Sequence, residues 1–261
     1  MSLLMISSSI FLGIKRDRFY LLKHYSLDLA AMTLILVTLY FFTEDTSDLK
    51  LSSLIYIIPG ILFGLVTAGL LHNTSHNNVK STLLNRVIGE FCGWWVLYGY
   101  KNFVMIHFLH HIYTDKKHDP VNPEGMSFFV FLTAPMRYMI RKTKGWLFEV
   151  HGQGNSYHKI MLLQTVLFNL ILLARLALWY MVLGKELFFF FYLPGYISNV
   201  MIFAHINYIC HRELADGSIE IVNLNHNLYY KFANFMTAGG YFHKNHHINP
   251  NLFNPRSYKS A

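Results

Sequence analysis

The stretch His107-Phe108-Leu109-His110-His111 lies near the middle of the chain. On a helix, positions i, i+3 and i+4 share one face, so this spacing predicts that the three imidazoles point the same way. Two similar motifs flank it: His72-Asn73-Thr74-Ser75-His76 before it and His243-Lys244-Asn245-His246-His247 after it. We call these the first, second and third histidine motifs in chain order. Neutral imidazole is the commonest metal ligand among side chains, and eight of them exceed the needs of one tetrahedral ion. The motifs therefore predict a site for more than one metal ion.

The composition is typical of a membrane protein. Of the 261 residues, 53% are hydrophobic and 14% are charged, with a mean hydropathy of +0.30, which is too apolar for an ordinary soluble domain. We predict a single domain over residues 1–261, because no tandem repeat or low-complexity linker is visible. The formal charge of +8 is compatible with nucleic acid, but the basic residues follow a membrane topology, so no nucleic-acid partner is predicted. Cys92 and Cys210 form no disulfide framework and are predicted to be packed thiols.

Four apolar runs predict four membrane-spanning helices, at about residues 27–42, 51–71, 160–183 and 187–204. The first run carries no charge after Asp28, and the third carries only Arg175, close enough to one end to snorkel. The predicted turns contain Glu44, Asp45 and Asp48, and then Gly184-Lys185-Glu186. The expected fold is an all-α polytopic membrane protein with two hairpins of spans. A helical cap, residues 72–159 and 205–261, carries the histidines.

The basic residues predict the orientation of this fold. Two hairpins place residues 1–25, 72–159 and 205–261 on one side of the membrane, and 19 of the 22 Lys and Arg residues fall in these segments. The positive-inside rule makes that side cytoplasmic. Within the cap, residues 91–106 and 128–140 are aromatic, short and amphipathic, which favours interfacial or cap helices over spans.

Three metal chemistries compete for the histidine motifs. A zinc hydrolase of the HExxH type is disfavoured, because no glutamate follows His72. A membrane haem protein would carry its histidine pairs within the spans, and the predicted spans carry none. Nitrogen-rich ligation with a high coordination number suits iron that reacts with O2.

The chain resembles the membrane fatty acid desaturase and hydroxylase superfamily, whose pattern is HxxxH or HxxxxH, then HxxHH, then HxxHH, in a protein with four spans. The resemblance covers about residues 50–255. Thr114-Asp115 and Asp119-Pro120 resemble the family's HHxxTxxxxDP continuation of the second motif. Gly239-Gly240-Tyr241-Phe242 and Pro250 resemble its GExxHxxHHxxP context. One departure is Gly240, which stands where many desaturases have a glutamate.

The resemblance also implies which residues bind two iron ions. Asn207-Tyr208-Ile209-Cys210-His211 has the N-x-x-x-H spacing that acyl-CoA desaturases place at the end of the fourth span. By this resemblance His211 is a ligand and Asn207 acts through water, with His205 as the alternative to His211. The implied metal residues are His72, His76, His107, His110, His111, His211, His243, His246, His247 and, through water, Asn207. No catalytic residue beyond these is predicted.

Other residues near the motifs have weaker roles. A carboxylate or amide often orients a ligand imidazole, and Asp115 and Asp119 are better candidates for this than His118 and His226. The remaining histidines, His24, His151 and His158, lie in basic segments and are predicted to be exposed.

The implied function is O2-dependent di-iron desaturation of a fatty acyl chain in the membrane. The same ligands also serve lipid hydroxylases and carotenoid ketolases, and a non-enzymatic metal- or lipid-binding membrane protein is a further alternative. The sequence has no haem-attachment motif, ferredoxin cysteines or GxGxxG, so a separate electron donor is predicted, a ferredoxin or a cytochrome b5-like protein with its reductase. Residues 91–103 and 232–241 are candidates for an acyl tunnel or for ordinary core packing.

Overall fold

The structure is a computed structural model that describes residues 5–42, 49–123, 125–133 and 135–257. Glu44, Asp45 and Asp48, which were predicted to form an acidic turn, lie outside the described residues. As predicted, the fold is all-α, apart from one short antiparallel hairpin. The helices are α1 (Met5–Arg16), α2 (Tyr20–Tyr40), α3 (Ile57–Ser75), α4 (Thr82–Trp95), α5 (Tyr100–Tyr113), α6 (Phe128–Thr133), α7 (Pro135–His151), α8 (Asn155–Leu187), α9 (Leu193–Ile209), α10 (Leu228–Met236) and α11 (His243–Ile248). The hairpin pairs β1 (His211–Glu213) with β2 (Ile219–Ile221), with Arg212 opposite Glu220.

Three helical stretches within the described residues are long and apolar enough to cross a membrane: Tyr20–Tyr40, Leu51–Ser75 and Asn155–Ile209. The second includes a 3₁₀ turn, Leu51–Tyr56, that leads into α3. The first begins well before residue 27, where the sequence predicted it, because the polar residues before Leu27 continue the same helix. The third covers both predicted spans, 160–183 and 187–204.

The third stretch is not straight. Gly184 has φ 70° and ψ 168°, outside the helical region, and the rings of Trp179 and Tyr192 stack with their centroids 5.6 Å apart. In a straight helix, residues with this separation in sequence would lie about 20 Å apart along the axis. The chain therefore folds back at Gly184, and a π-helical turn, Phe188–Tyr192, leads into α9.

Small residues allow α3 and α9 to pack closely. A Cβ on Gly64 would overlap the carbonyl of Gly195, and a Cβ on Gly60 would overlap the backbone of Phe191, in the turn that leads into α9. The two glycines of α3 have the small-xxx-small spacing that brings membrane helices together. One turn closer to the histidines, Asn199 Nδ2 donates to Thr67 Oγ1 at 3.0 Å and to Gly64 O at 3.2 Å, so this part of the interface also satisfies its polar atoms.

Arg175 connects α8 to α2. Its side chain is 3% exposed, and Nη2 lies 2.9 Å from Asp28 Oδ2 of α2. Its Nη1 donates to the carbonyl of Leu97 at 2.6 Å. The prediction that Arg175 snorkels is wrong, because a carboxylate of the neighbouring helix and a backbone carbonyl compensate the guanidinium inside the bundle.

The turn between α4 and α5 also lies inside the bundle. Trp179 Nε1 donates to Trp94 O at 3.0 Å, and Tyr192 Oη donates to Trp95 O at 3.0 Å. With the Arg175 bond, these side chains donate to three carbonyls at the end of α4 and in the turn after it, and Trp94 O also accepts from the backbone N–H of Leu97. Residues 91–106 were predicted to form an interfacial or cap helix and not a span, and none of the three candidate spans includes them. The segment forms the end of α4, a buried turn and the first part of α5.

The cap helices position the second histidine motif. Phe11 of α1 stacks on Phe108 of α5 at 5.6 Å and on Trp146 of α7 at 5.4 Å. The described part of residues 128–140, predicted to form an interfacial or cap helix, is helical and comprises α6 and the first part of α7. The aromatic contacts fix α5 between the cap and the long helices.

Candidate metal centre

Four separate elements bring the histidine motifs together. The first motif lies at the end of α3, with His72 in its last turn and His76 just after it. The second motif forms the last two turns of α5, and the third forms α11. His211 is the first residue of β1, directly after α9. The ends of α3 and α5, the start of β1 and the short helix α11 meet at the same place, which is why histidines distant in sequence come together.

The histidines form two clusters that could each hold a metal ion. Cluster A contains His72, His76, His107 and His246, and cluster B contains His110, His211, His243 and His247. His111 joins cluster A, because its Nε2 lies 2.9 Å from Nε2 of His246 and 3.2 Å from that of His107. All nine imidazoles proposed from the sequence are therefore in one of the two clusters.

The two HxxHH motifs divide between the clusters in opposite ways. In α5, His107 and His111 belong to cluster A and His110 belongs to cluster B. In α11, His243 and His247 belong to cluster B and His246 belongs to cluster A. Each short helix thus lies across both clusters, with the i and i+4 rings on one and the i+3 ring on the other. This division explains the need for three histidines at this spacing in each motif.

The nitrogen geometry suits a metal ion in each cluster. Neighbouring Nε2 atoms lie 2.6–3.2 Å apart. For metal–nitrogen bonds of about 2.1 Å, cis nitrogens of an octahedron are about 3.0 Å apart and those of a tetrahedron about 3.4 Å. Hydrogen bonding between the rings does not account for all of these short distances. His246 Nε2 faces the Nε2 atoms of both His72 and His111, whereas a neutral imidazole carries only one N–H.

Burial keeps four of the rings in the protonation state that binds metal. Burial, and after it the neighbouring imidazoles, hold the pKa of His76, His243 and His246 well below the usual range. The same causes lower the pKa of His247 to about 2. Metal ligation requires neutral imidazole, and these rings stay neutral at physiological pH.

Two carboxylates hold rings of cluster B. His110 Nδ1 donates to Asp119, with oxygens at 2.9 and 3.0 Å, and His211 Nδ1 donates to Asp115 at 2.9 and 3.1 Å. Asp119 is fully buried and also accepts from the backbone N–H groups of Asp115 and Val121. These contacts leave each Nε2 lone pair facing the cluster. The orienting contacts expected of Asp115 and Asp119 are present.

A small cavity of about 30 Å³ adjoins both clusters. It is lined by Ala68, Gly69, His72, His107, Phe203, Ile206, Asn207, Thr237, Gly240 and His243. Asn207 donates through Nδ2 to Phe203 O at 2.8 Å, which leaves its amide oxygen for water or a ligand. A Cβ on Gly240 would approach the side chains of Ile206 and Thr237 to 2.8 Å, so the absence of a side chain there preserves the cavity.

The sequence missed part of this lining. Gly69 precedes His72 by three residues, and Phe203 precedes Asn207 by four, so helical spacing alone could have placed both beside the site. Of the two segments considered for an acyl tunnel, residues 232–241 contribute Thr237 and Gly240, whereas residues 91–103 do not line this cavity.

Three other histidines near the motifs lie outside both clusters. His205, the alternative to His211, bonds through Nδ1 to the hydroxyl of Tyr241. His118 pairs with Glu149 at 2.7 Å, and the ring of His226 packs against Tyr230. His118 and His226 therefore do not orient a cluster ring, because neither one contacts a ring of the clusters.

Two of the three histidines predicted to be exposed are partly buried. His24 Nδ1 lies 2.6 Å from Lys101 Nζ, and the His151 ring lies 3.0 Å from Ile14 O. Both predictions are wrong, because α2 and α7 pack these rings against the bundle. His158 is exposed, as predicted.

A model of the fatty acid desaturase family matches residues 51–254. The chain belongs to the fatty acid desaturase family. The matched segment contains all three histidine motifs, Asn207 and His211. Comparison with curated proteins and with solved structures finds no match. Within this family, the two clusters are consistent with a di-iron site.

Proposed function

We propose that the protein is an integral membrane enzyme that introduces a double bond into a fatty acyl chain, with two iron ions, O2 and an external electron donor. The observation that carries this proposal is the set of nine imidazoles in two adjoining clusters beside an apolar cavity. Family membership supports a lipid substrate and oxidoreductase chemistry.

We propose four spans in two hairpins. The chain reversal at Gly184 divides the longest apolar stretch into two, which pair with α2 and α3. Large apolar side chains on these helices face outward, including Leu27, Ile58 and Leu173, each more than half exposed. Lipid contact accounts for such exposure better than water does. The distribution of Lys and Arg supports a cytoplasmic location for the clusters.

In the proposed centre, His72, His76, His107, His111 and His246 would hold one iron and His110, His211, His243 and His247 the other, with Asn207 acting through water. Bound there, the two iron ions would supply O2 activation and hydrogen abstraction from an unactivated C–H bond. The protein contributes position: Gly240 leaves room for a methylene segment next to the clusters, Gly69 lets the backbone of Thr237 approach α3, and Phe203 and Ile206 exclude water from the cavity.

Desaturation is favoured over hydroxylation by the sequence around the site. The N-x-x-x-H element, Asn207 to His211, and the context of the third motif resemble those of desaturases. Desaturation and hydroxylation both begin with removal of one hydrogen from the acyl chain. Whether the chain then loses a second hydrogen or gains an oxygen depends on how it is held against the metal. The narrow cavity beside His72, His107 and His243 supports restraint of the chain.

A separate electron donor can reach the clusters from the cytoplasmic side. Lys116, Arg212 and Lys244 are exposed, and each directly follows a residue of the centre, Asp115, His211 or His243. Opposite charge speeds protein encounter, so this surface suits an acidic ferredoxin or a cytochrome b5-like protein.

The test is lipid mass spectrometry of a host that expresses the chain with such a donor. His246→Gln is the better inactive variant, because removal of His110 would also leave Asp119 buried without its partner. We expect lipids that have lost two hydrogens in hosts with the wild type and with His158→Gln. We expect no such lipids in the host with His246→Gln. Gain of one oxygen would identify a hydroxylase, and unchanged lipids with an iron-loaded wild type would contradict the proposal.

A further inference from the structure

We propose that a second cavity, on the other side of α5 from the histidines, holds one acyl chain of an anionic glycerophospholipid. This cavity has a volume of about 120 Å³ and is bounded by α2, α5, α7 and α8. Three of its lining side chains are Met105, Met136 and Met161. Methionine is flexible and polarisable, and it adapts to irregular apolar guests.

The cavity is distinct from the metal centre. A rotation of about 100° per helical residue puts Met105 roughly opposite the α5 face that carries His107 and His111. The inner end of the cavity is closed by hydrogen bonds: Tyr25 Oη donates to Asn102 Oδ1, and Asn102 Nδ2 donates to Tyr98 O. A chain in this cavity therefore does not reach the clusters from that end.

The mouth of the cavity opens between α7 and α8. Asn169 is exposed, Phe168 is half-buried, and both line the cavity from α8. The neighbouring surface of α8 exposes Leu162 and Leu173, at 66% and 59%. If α8 spans the membrane, this mouth faces the acyl region of the bilayer. This step rests on the proposed function, since it uses the proposed membrane topology.

The charge at the mouth selects an anionic lipid. Lys144 lines the cavity, and its ammonium group contacts no hydrogen-bond or ion-pair partner among the described residues. Arg137 and Arg141 are exposed on the same helix. Thr143 also lines the cavity, and its buried hydroxyl has no hydrogen-bond partner among the described residues. A phosphate at the Lys144 ammonium and an ester oxygen or water near Thr143 would satisfy both groups.

Photo-crosslinking tests this site directly. Metal-loaded protein is placed in phosphatidylcholine nanodiscs that contain phosphatidylglycerol with a diazirine near the end of one chain, and the labelled residues are located by peptide mass spectrometry. Label is expected on Met105 or Met161 and is expected to be displaced by unlabelled phosphatidylglycerol but not by phosphatidylcholine. Label confined to exposed residues such as Leu162, or equal displacement by both lipids, would overturn the proposal.

Three variants sharpen the result. Lys144→Gln is expected to lower labelling about fivefold, since one basic residue near a membrane surface contributes about 1 kcal/mol. Lys159→Gln removes an exposed charge from α8 outside the cavity and is expected to label like the wild type. Ile140→Trp fills the mouth and is expected to abolish labelling at the wild-type metal content. Equal labelling of Lys144→Gln and Lys159→Gln would overturn the assignment of Lys144.

The readouts separate this proposal from the proposed function. Label position and metal content do not depend on lipid oxidation. Labelled Met105 in a protein that oxidises no lipid would contradict the desaturase proposal alone. An active enzyme labelled only on its outer surface would contradict the lipid site alone.

Discussion

His110 and His211 differ from the other seven imidazoles of the centre because a carboxylate holds each ring. Both belong to cluster B. Among the described residues, no ring of cluster A contacts an Asp or Glu side chain. A carboxylate fixes the tautomer and raises the basicity of a ligand imidazole, so the two clusters are expected to bind metal unequally.

Asp119→Asn tests this inequality. The substitution weakens the hold on His110, and its single amide oxygen can accept from only one of the two backbone N–H groups, those of Asp115 and Val121, which bond to different oxygens of Asp119. Metal affinity at cluster B is expected to fall about 10–100-fold, while cluster A keeps its ion. Metal content after dialysis should drop from two equivalents towards one. The control is the exposed Asp216→Asn; loss of both ions together in Asp119→Asn would contradict independent sites.

Gly240→Ala tests the cavity beside the clusters. A methyl group there would press on Ile206 and Thr237 and displace a bound chain. We expect kcat/KM to fall about 10–100-fold, since small misplacement of a reacting group has costs of this order, with the metal content unchanged. Gly145→Ala is the matched control, because a Cβ at Gly145 meets no atom within 4 Å. Full activity of Gly240→Ala would show that the substrate lies elsewhere.

At the scale of elements, the position of α5 depends on contacts inside the bundle. The α4–α5 turn is bonded by Arg175, Trp179 and Tyr192, and α5 carries the second histidine motif. In an apolar environment these backbone carbonyls have no water to accept from. The buried side chains thus connect the interior of the bundle to the metal centre.

Arg175→Met tests this connection. The variant leaves Asp28 without its ion-pair partner and Leu97 O without a donor, so the free energy of unfolding should fall by about 3–5 kcal/mol. Thermal unfolding of the purified protein measures the loss. The double variant Asp28→Leu with Arg175→Met should recover part of it, because no unpaired carboxylate remains. A double variant less stable than Arg175→Met would contradict the ion-pair account.

At the scale of the whole molecule, acid should weaken the fold through its buried imidazoles. His76, His243, His246 and His247 have pKa values below that of a free histidine, about 6.5, because they are buried. Between the folded and unfolded pKa values the unfolded chain binds more protons, so stability is present above about pH 6.5 and is lost as the pH falls.

Melting temperatures of the metal-free protein from pH 8 to pH 5 check this expectation. We expect the melting temperature to be constant above about pH 6.5 and to fall below it, as the buried histidines are protonated on unfolding. The metal-loaded protein should release its ions over the same acid range, because protons compete for the ligand nitrogens. A melting temperature that rises on acidification would contradict the account.

The sequence by itself determined the all-α class, the family and the nine histidines that come together. These features depend on residues that are close together in the sequence. The HxxHH spacing places rings on one helix face, and long apolar runs identify the long helices. The Asp115 and Asp119 contacts also followed from local pattern, since both residues lie within one or two turns of the second motif.

Only the tertiary structure decided which histidine belongs to which cluster, because the division of His107, His110 and His111 depends on how α5 crosses α11. It likewise decided that Arg175 is buried and that residues 91–106 fold back inside the bundle. A hydropathy profile scores each residue by its type and takes no account of partners on other helices, so it does not predict the burial of a charged side chain. The partners that make burial favourable, Asp28 and the carbonyl of Leu97, are distant in sequence and are brought close by packing of α2, α5 and α8.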